Sequence, residues 1–335
     1  MFTDDQLRGA LLEEVILRLL GASGYVTVNS AGTDPTLGNN AAGLTVKGRG
    51  GEHQIDAIAD AAVNPPFVNP QRLLVEAKCL GSSSKLRLSV VRNALGVLRD
   101  VSEYWVGNPT ANLSSKRYHY QYAIFSTVGF TTPAQRYAFA QDIYLFPLGR
   151  SSFFAPLIAA INATRAEQFS HTELRLKDIR STVRGRLQGS LHTERNVTDG
   201  PFEESGISAV IEACANLGFS LVAVFGGRFP VFLSPSETLG ELSQRDSPRI
   251  TVRIYWNDES WFVQTCGGEN LFSFDLPEEL FELYAEQGEL SPEKALDLKV
   301  DFMSAFQAIH TQNGRARILN FKLDQNWITA LREQN

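Results

Sequence analysis

The chain has 335 residues, 43% of them hydrophobic, and a net charge of −6. That length is enough for two separate cores, and no apolar run approaches the roughly 20 residues of a membrane helix. Cys79, Cys214 and Cys266 lie far apart without CxxC or Cys/His ligand spacing, which supports neither a disulfide framework nor a zinc site and leaves reduced, mostly buried thiols as the expectation. Met1–Gln6 is acidic and polar rather than the basic lead of a signal peptide, so a soluble, cytoplasmic protein with no membrane partner is expected.

The charge is uneven. Residues 1–160 carry 14 Lys and Arg against 12 Asp and Glu, and the remainder carries 17 against 25, giving +2 and −8. The first half suits a polyanionic partner and the second would repel one.

In chain order, "LRGALLEEVILRLLGASGY" places Leu7, Leu11, Val15 and Leu19 at helical spacing, with Leu12, Ile16 and Leu20 widening the stripe, and closes on Gly21 and Gly24. "YVTV" starts a strand, residues 29–51 read as a Gly/Asn/Thr-rich loop, and "HQIDAIAD" reads as one strand. "NPPFVNP" is a turn, "RLLVEAKCL" a third strand and "LRLSVVRNALGVLRDV" a long helix. A strand "YQYAIFSTV", a helix "TTPAQRYAFAQD" and a strand "IYLFPL" complete an α/β pattern. From Glu167 to Gly200 the chain looks like a connector with room for one helix. Beyond it come a helix "GISAVIEACANLG", a hairpin turning at Gly226 and Gly227, a second hairpin turning at Asn257 and Asp258, acidic helices and a strand "RILNFKL". The expected layout is a domain over 1–164, a connector over 165–200 and a smaller α+β domain over 201–335, the first able to fold alone.

Chemistry concentrates in two of these strands. Residues two apart on a strand share a face, so Gln54 and Asp56 point one way and Glu76 and Lys78 share a face of the next strand. Two carboxylates on one side of neighbouring strands repel each other unless a divalent cation sits between them, and oxygen ligands of this kind suit Mg²⁺ or Mn²⁺. Lys78 beside them would orient a water and stabilise charge on a phosphate, which is the chemistry of phosphodiester hydrolysis. A second tripeptide of the same form, Asp297-Leu298-Lys299, lies in the acidic C-terminal region and takes no role.

Over about residues 5–150 the sequence resembles the PD-(D/E)xK nucleases, and more closely their Mrr-type restriction endonuclease domain. The pieces that carry the resemblance are "EEVILRLLGASGY", "KGRGGEHQIDAIAD", "LLVEAKC", a helix and "AIFSTVGFTTPAQRYAFAQDIYLFPL", in that order. Two features depart from it: Glu76-Ala77-Lys78 stands where many Mrr-type members carry QxK, and the segment between Asp56 and Glu76 is long. The resemblance implies a restriction-endonuclease-like mixed sheet flanked by helices. It implies Asp56, Glu76 and the Ala77 carbonyl as Mg²⁺ ligands, Lys78 as a catalytic residue, and a further carboxylate on the first helix. Counting back from Gly24-Tyr25, Glu13 is the expected one; Glu14 is the alternative, read as a surface ion pair with Arg18 four residues on.

Gln54 is a candidate for holding water or a phosphate oxygen, and Lys47, Arg49, Lys85 and Arg87, with Arg92, Lys116 and Arg117, are candidates for backbone phosphates. His53 points away and reads as structural. Phe225, Phe229, Phe232, Trp256 and Trp261 read as core rather than as a stacking platform. There is no Walker loop, nucleophile elbow or dinucleotide fingerprint. The expectation is a metal-dependent endonuclease, with double-stranded DNA and a restriction or antiphage role implied by the resemblance and a homodimer fitting double-strand cleavage. The C-terminal domain would recognise a modified base, a partner protein or a signal, or form a dimer. The competing readings are a nucleic-acid-binding or regulatory subunit with a scaffolding nuclease fold, and a signal-activated RNase.

Overall fold

The structure is a computed structural model that describes residues 2–334 apart from 41–42, 65, 82–83, 105–116, 189–198, 218–220, 228, 237–238, 240–248, 257–259, 287 and 313–314. Lys116 and the turn expected at Asn257 and Asp258 lie outside the described residues. The chain divides into two compact units, one of Met1–Gly21 with Tyr25–Gly218 and one of Ala22–Gly24 with Phe219–Asn335. The expected boundary at 164 and the connector to 200 therefore differ from the observed division, because the helices after 164 pack into the first unit.

The first unit opens with helix α1 (Asp4–Ala22). From Leu11 onward it is buried nearly all round, with Glu13, Arg18 and Gly21 the residues that keep some access to water. A helix apolar on every side belongs inside a fold rather than on it. Among the described residues a five-stranded sheet follows in the order β1-β5-β6-β7-β8, formed by Tyr25–Thr27, Ala57–Ala61, Gln71–Lys78, His119–Ser126 and Ile143–Pro147. Its β1–β5 and β5–β6 pairs are antiparallel, and β6–β7 and β7–β8 are parallel, so the sheet is mixed. Helices α2 (Leu88–Ser102) and α3 (Thr132–Ala140) supply Val91, Ala94, Ala134 and Ala138 to the core that also holds Ile58, Leu74, Tyr122 and Ile124 of the sheet.

Residues 29–51 are not simply a loop. Strands β2 (Leu37–Asn40), β3 (Gly43–Lys47) and β4 (Glu52–Gln54) form a second, antiparallel sheet. The "GRGG" stretch is the turn of its second hairpin, where a side chain on Gly48 would fall 1.9 Å from Asp100 Oδ2. Gly50 N–H also donates to Asp100 Oδ1 at 2.8 Å, which ties the turn to α2. The expected single strand "HQIDAIAD" is thus two strands in two sheets, with Ile55 and Asp56 at the break. Gln54 sits opposite Thr45 in β4 and does not share a strand face with Asp56.

Helices α4 (Ala155–Ala163), α5 (Leu176–Leu187), α6 (Asp199–Glu204) and α7 (Ile207–Asn216) complete the first unit. Helix α5 buries Ile179, Val183 and Leu187 at four-residue spacing, and its N-terminus is closed by Arg175 N–H donating to Asp178 Oδ2 at 3.0 Å.

In the second unit the described strands β9 (Leu221–Phe225), β10 (Phe229–Pro235), β11 (Arg249–Trp256), β12 (Trp261–Thr265), β13 (Asn270–Phe274), β14 (Ala305–Gln312) and β15 (Arg315–Leu323) close into a barrel. Phe225, Phe272, Phe306 and Phe321 fill it, and the helices Glu278–Tyr284 and Pro292–Met303, here α8 and α9, interrupt the strand run. Helix α10 (Gln325–Gln334) ends the chain. The class expected here, α+β, is refined to a closed barrel with helices. Phe225, Phe229 and Trp261 are core residues as read from the sequence, but Trp256 is 49% exposed. Of the three thiols expected to be mostly buried, only Cys214 is; Cys79 is half-buried at the open end of β6 and Cys266 is exposed.

Candidate active site

The site forms where β5 and β6 stop pairing. The ladder ends with Ala57 opposite Val75, and continuing it would set Asp56 opposite Glu76 and Ile55 opposite Ala77. The chain leaves the sheet there instead, since Ile55 N–H donates to Leu44 O of the smaller sheet at 3.5 Å. The N–H of Ala77 would otherwise lack a ladder partner, and the Asp56 carboxylate accepts it through Oδ2 at 2.8 Å. This bond brings the aspartate to the middle of the Glu76-Ala77-Lys78 stretch. Strand β6 changes from buried at Arg72–Val75 to half-buried over Glu76–Lys78, so these side chains lie at the open, C-terminal end of the strand.

Alternation puts Glu76 and Lys78 on one face, and they meet there: Lys78 Nζ lies 2.7 Å from Glu76 Oε1. Tyr122 of β7 reaches the other carboxylate oxygen, donating to Oε2 at 3.4 Å. Burial first, then Glu76 and Asp56, push the Tyr122 phenol well above its ordinary value, so it stays a neutral donor. Burial also raises the Asp56 carboxyl, with Glu76 adding to the shift, while the Ala77 N–H, Lys78 and Arg180 oppose it.

Glu13 enters from α1. Burial pushes its pKa up to about 7 against the pull of Arg180, and Asp56 and Glu14 add to the rise. The structure thus brings Glu13, Asp56, Glu76 and Lys78 into one electrostatic group. Glu14 corrects the sequence reading: instead of a surface pair with Arg18, its fully buried carboxylate accepts Arg184 Nε at 2.6 Å, Arg184 Nη2 at 2.8 Å and Arg180 Nε at 2.9 Å. Arg180 also reaches Glu13 Oε2 with Nη2 at 2.6 Å.

Arg180, Arg184 and Tyr122 were missed by sequence reasoning. Arg180 and Arg184 had a signal in their four-residue spacing beside the apolar stripe of α5, which marks one face of a helix. Tyr122 had none beyond its place in a strand.

The remaining candidates lie elsewhere. Lys47 and Gln54 are on the smaller sheet, and Arg49 pairs with Glu103 at 3.1 Å. Lys85 and Arg87 are exposed just before α2, and Arg92 lies over the Tyr137 ring at 5.8 Å. His53 is held by Asp100 at 2.7 Å. That bond and the Gly50 N–H keep the Asp100 carboxyl below its usual range.

Among the described residues no group of three or more His, Cys, Asp and Glu side chains is arranged as a metal site. A cation here would rest on Asp56, Glu76 and main-chain oxygen, with water completing its shell. That donor set fits Mg²⁺, which keeps several waters and uses one or two carboxylates. Asp56 Oδ1 makes no hydrogen bond among the described residues and Glu76 Oε2 has only the long Tyr122 contact, so each acid retains an open oxygen.

No family model matches the sequence, and no curated protein matches it. Structure comparison finds a crystal structure of a protein of unknown function, AF1548, at a TM-score of 0.33 and 15% identity, covering 61% of this chain and 95% of that one. Among the described residues no helix is long and apolar enough to cross a membrane.

Proposed function

We propose that this chain is a metal-dependent nuclease of the PD-(D/E)xK type, hydrolysing phosphodiester bonds at the centre built by Asp56, Glu76, Lys78 and Glu13. The observation that carries the reading is the 2.8 Å hydrogen bond from Ala77 N–H to Asp56, which joins an aspartate to a Glu-x-Lys strand end at half-open depth. A structural role alone gives no reason to gather Glu13, Asp56 and Glu76 where burial opposes the charge of Glu13 and Asp56.

Asp56 and Glu76, with the Ala77 carbonyl, would hold one or two Mg²⁺ or Mn²⁺ ions. Such an ion supplies a polarised phosphoryl oxygen and a more acidic bound water. Lys78 holds the water in line and balances charge that develops on the phosphate as the water oxygen bonds to phosphorus and the bond to the leaving sugar oxygen breaks. The hydrogen bond from Ala77 keeps Asp56 oriented during the reaction, and Tyr122 limits the swing of Glu76. DNA is the substrate that the sequence resemblance implies, in a restriction or antiphage role.

The test compares cleavage of double-stranded DNA and of RNA with Mg²⁺ and with chelator. Metal-dependent DNA cleavage that drops by more than about 10³-fold in Asp56→Asn, with the unfolding midpoint unchanged or raised, is the expected result. Wild-type rates in that variant would remove the assignment, and cleavage confined to RNA would replace the substrate.

A further inference from the structure

We infer that Arg180 is a positioning residue of this site: it aims the Glu13 carboxylate at the Asp56 centre, while Arg184, one turn along α5, serves as the anchor. The inference rests on the nuclease reading above and adds to it a helix that the sequence placed in a connector.

The two arginines differ in what they hold. Arg184 meets Glu14 through two nitrogens, at 2.6 and 2.8 Å, so both Glu14 oxygens are satisfied without Arg180. The Glu14 side chain is 0% exposed and fixed inside the fold. Arg180 spends Nε on this immobile carboxylate at 2.9 Å and extends Nη2 to Glu13 at 2.6 Å. A guanidinium is a rigid planar fork, so fixing Nε against Glu14 also fixes the direction in which Nη2 points. Glu14 is the mount, Arg180 the arm, and Glu13 the group it holds, within electrostatic range of Asp56. Glu13 is 20% exposed, which leaves it room to move when the arm is removed.

Arg180 has a second effect. Its charge acts on Asp56 as well as on Glu13, so a fixed cation stands beside the carboxylates that would hold a metal ion. It must weaken cation binding through repulsion while it improves the geometry for turnover. Removing it therefore drives two observables in opposite directions, which loss of packing alone would not do.

The experiment uses the full chain and the variants Arg180→Met, Arg180→Lys and Arg184→Met. The readouts are Mn²⁺ titration calorimetry at pH 8 and steady-state cleavage of a DNA duplex with Mg²⁺. Arg180→Met is expected to lower kcat by about 100-fold with KM little changed, the scale of a misplaced catalytic group. It should also bind Mn²⁺ about tenfold more tightly, since a like charge has been removed from beside the site. Arg180→Lys keeps the charge but not the two-pronged reach, so wild-type Mn²⁺ affinity with a partial recovery of kcat is expected. Arg184→Met should lower the unfolding midpoint most, with a fall in kcat per folded molecule well short of that in Arg180→Met and with no tightening of Mn²⁺ binding.

Unchanged kcat and Mn²⁺ affinity in Arg180→Met, or a fall in step with Arg184→Met, would overturn the inference. If Arg180→Met does not fold, wild-type kcat in Arg180→Lys overturns it as well. A wild-type protein that cleaves no nucleic acid defeats the nuclease reading separately. The Mn²⁺ titration then still decides the placement of Arg180, and equal affinity or no binding in both proteins counts against it.

Discussion

At Arg72 one buried cation meets Asp60 at 2.6 and 2.9 Å, Asp34 at 2.8 Å and Thr36 Oγ1 at 3.0 Å, with the Tyr118 ring 3.6 Å from the guanidinium carbon. At the Asp56 centre three carboxylates, Glu13, Asp56 and Glu76, face Lys78 and an arginine already shared with Glu14. The first cluster is saturated. Burial pushes the Asp34 carboxyl up, but Thr36 and Arg72 outweigh it and hold the group below its usual range. In the second, burial wins at Glu13 and Asp56. The same residue types thus build a joint between the two sheets in one place and a centre short of positive charge in the other. A deficit of that kind is what a site for a cation and a phosphate needs.

The largest expected effect comes from removing α5, which belongs to the second cluster. A chain ending at Thr164 loses Arg180 and Arg184, both partners of Glu14, and with them the α5 residues Ile179, Val183 and Leu187 that are buried in the full chain. An uncompensated buried charge costs about 3–5 kcal/mol, against a total stability of roughly 5–15 kcal/mol. Losing Ala166 N–H as donor to Asp4 (2.7 Å) adds to this. No cooperative unfolding transition is expected for that fragment, whereas one ending near Gly218 should show one. A sharp transition in the shorter fragment would mean that α5 is dispensable.

Next is Arg72→Met, which leaves Asp60 without its cation and Asp34 with only Thr36 and Tyr118 as donors, and is expected to cost about 3–5 kcal/mol in urea unfolding. Activity per folded molecule should be unchanged, in contrast to Asp56→Asn. A loss of turnover beyond the unfolded fraction would erase the distinction between joint and site.

The third effect depends on pH. The folded pKa of Glu13, about 7, lies above the ordinary glutamate value of 4.5, so the native state holds the proton more tightly than the unfolded chain. The stability this confers is fully present below pH 4.5, falls as pH rises to 7 and is constant above. The shift corresponds to about 3 kcal/mol. Unfolding curves for Glu13→Gln should lack this decline, so the difference between variant and wild type should change across that window. A constant difference would show that Glu13 titrates like an ordinary carboxyl. The Arg72 cluster has no such window, since its shifted aspartate moves the other way.

The smallest effect is at the surface. Arg49 and Glu103 are both more than half exposed, and Arg49→Ala should change stability by no more than about 0.2–1 kcal/mol. If Arg49 contacts backbone phosphate, the same variant should reduce the salt dependence of DNA binding by about one counterion. An unchanged slope would leave Arg49 as a clasp on α2.

The sequence by itself determined the elements whose signal is local. The α1 stripe, the strands around "RLLVEAKCL" and "YQYAIFSTV", the α2 and α3 helices and the turn at Gly226 and Gly227 follow from periodicity and from residues that favour particular backbone angles; both glycines adopt positive φ. The meeting of Glu76 with Lys78 was also legible, because alternation along one strand is a local property. Tertiary structure decided what depends on register and on distant partners. Nothing near "HQIDAIAD" shows that the strand breaks at Asp56, since the break exists to serve two sheets, and "GRGG" was read as part of a loop rather than as the turn of a hairpin. The count back from Gly24-Tyr25 and helix spacing favoured Glu13 and paired Glu14 with Arg18, but the actual setting of Glu14 was hidden. It turned on Arg180 and Arg184, more than 160 residues away along the chain, whose i, i+4 spacing could be read but whose docking against α1 could not. The barrel was hidden for the same reason: its hairpins are local, while its closure through β14, β15 and the parallel β11–β15 pair joins segments far apart in sequence. Local preference is encoded residue by residue, whereas burial of a charge depends on which helix the folded chain brings to meet it.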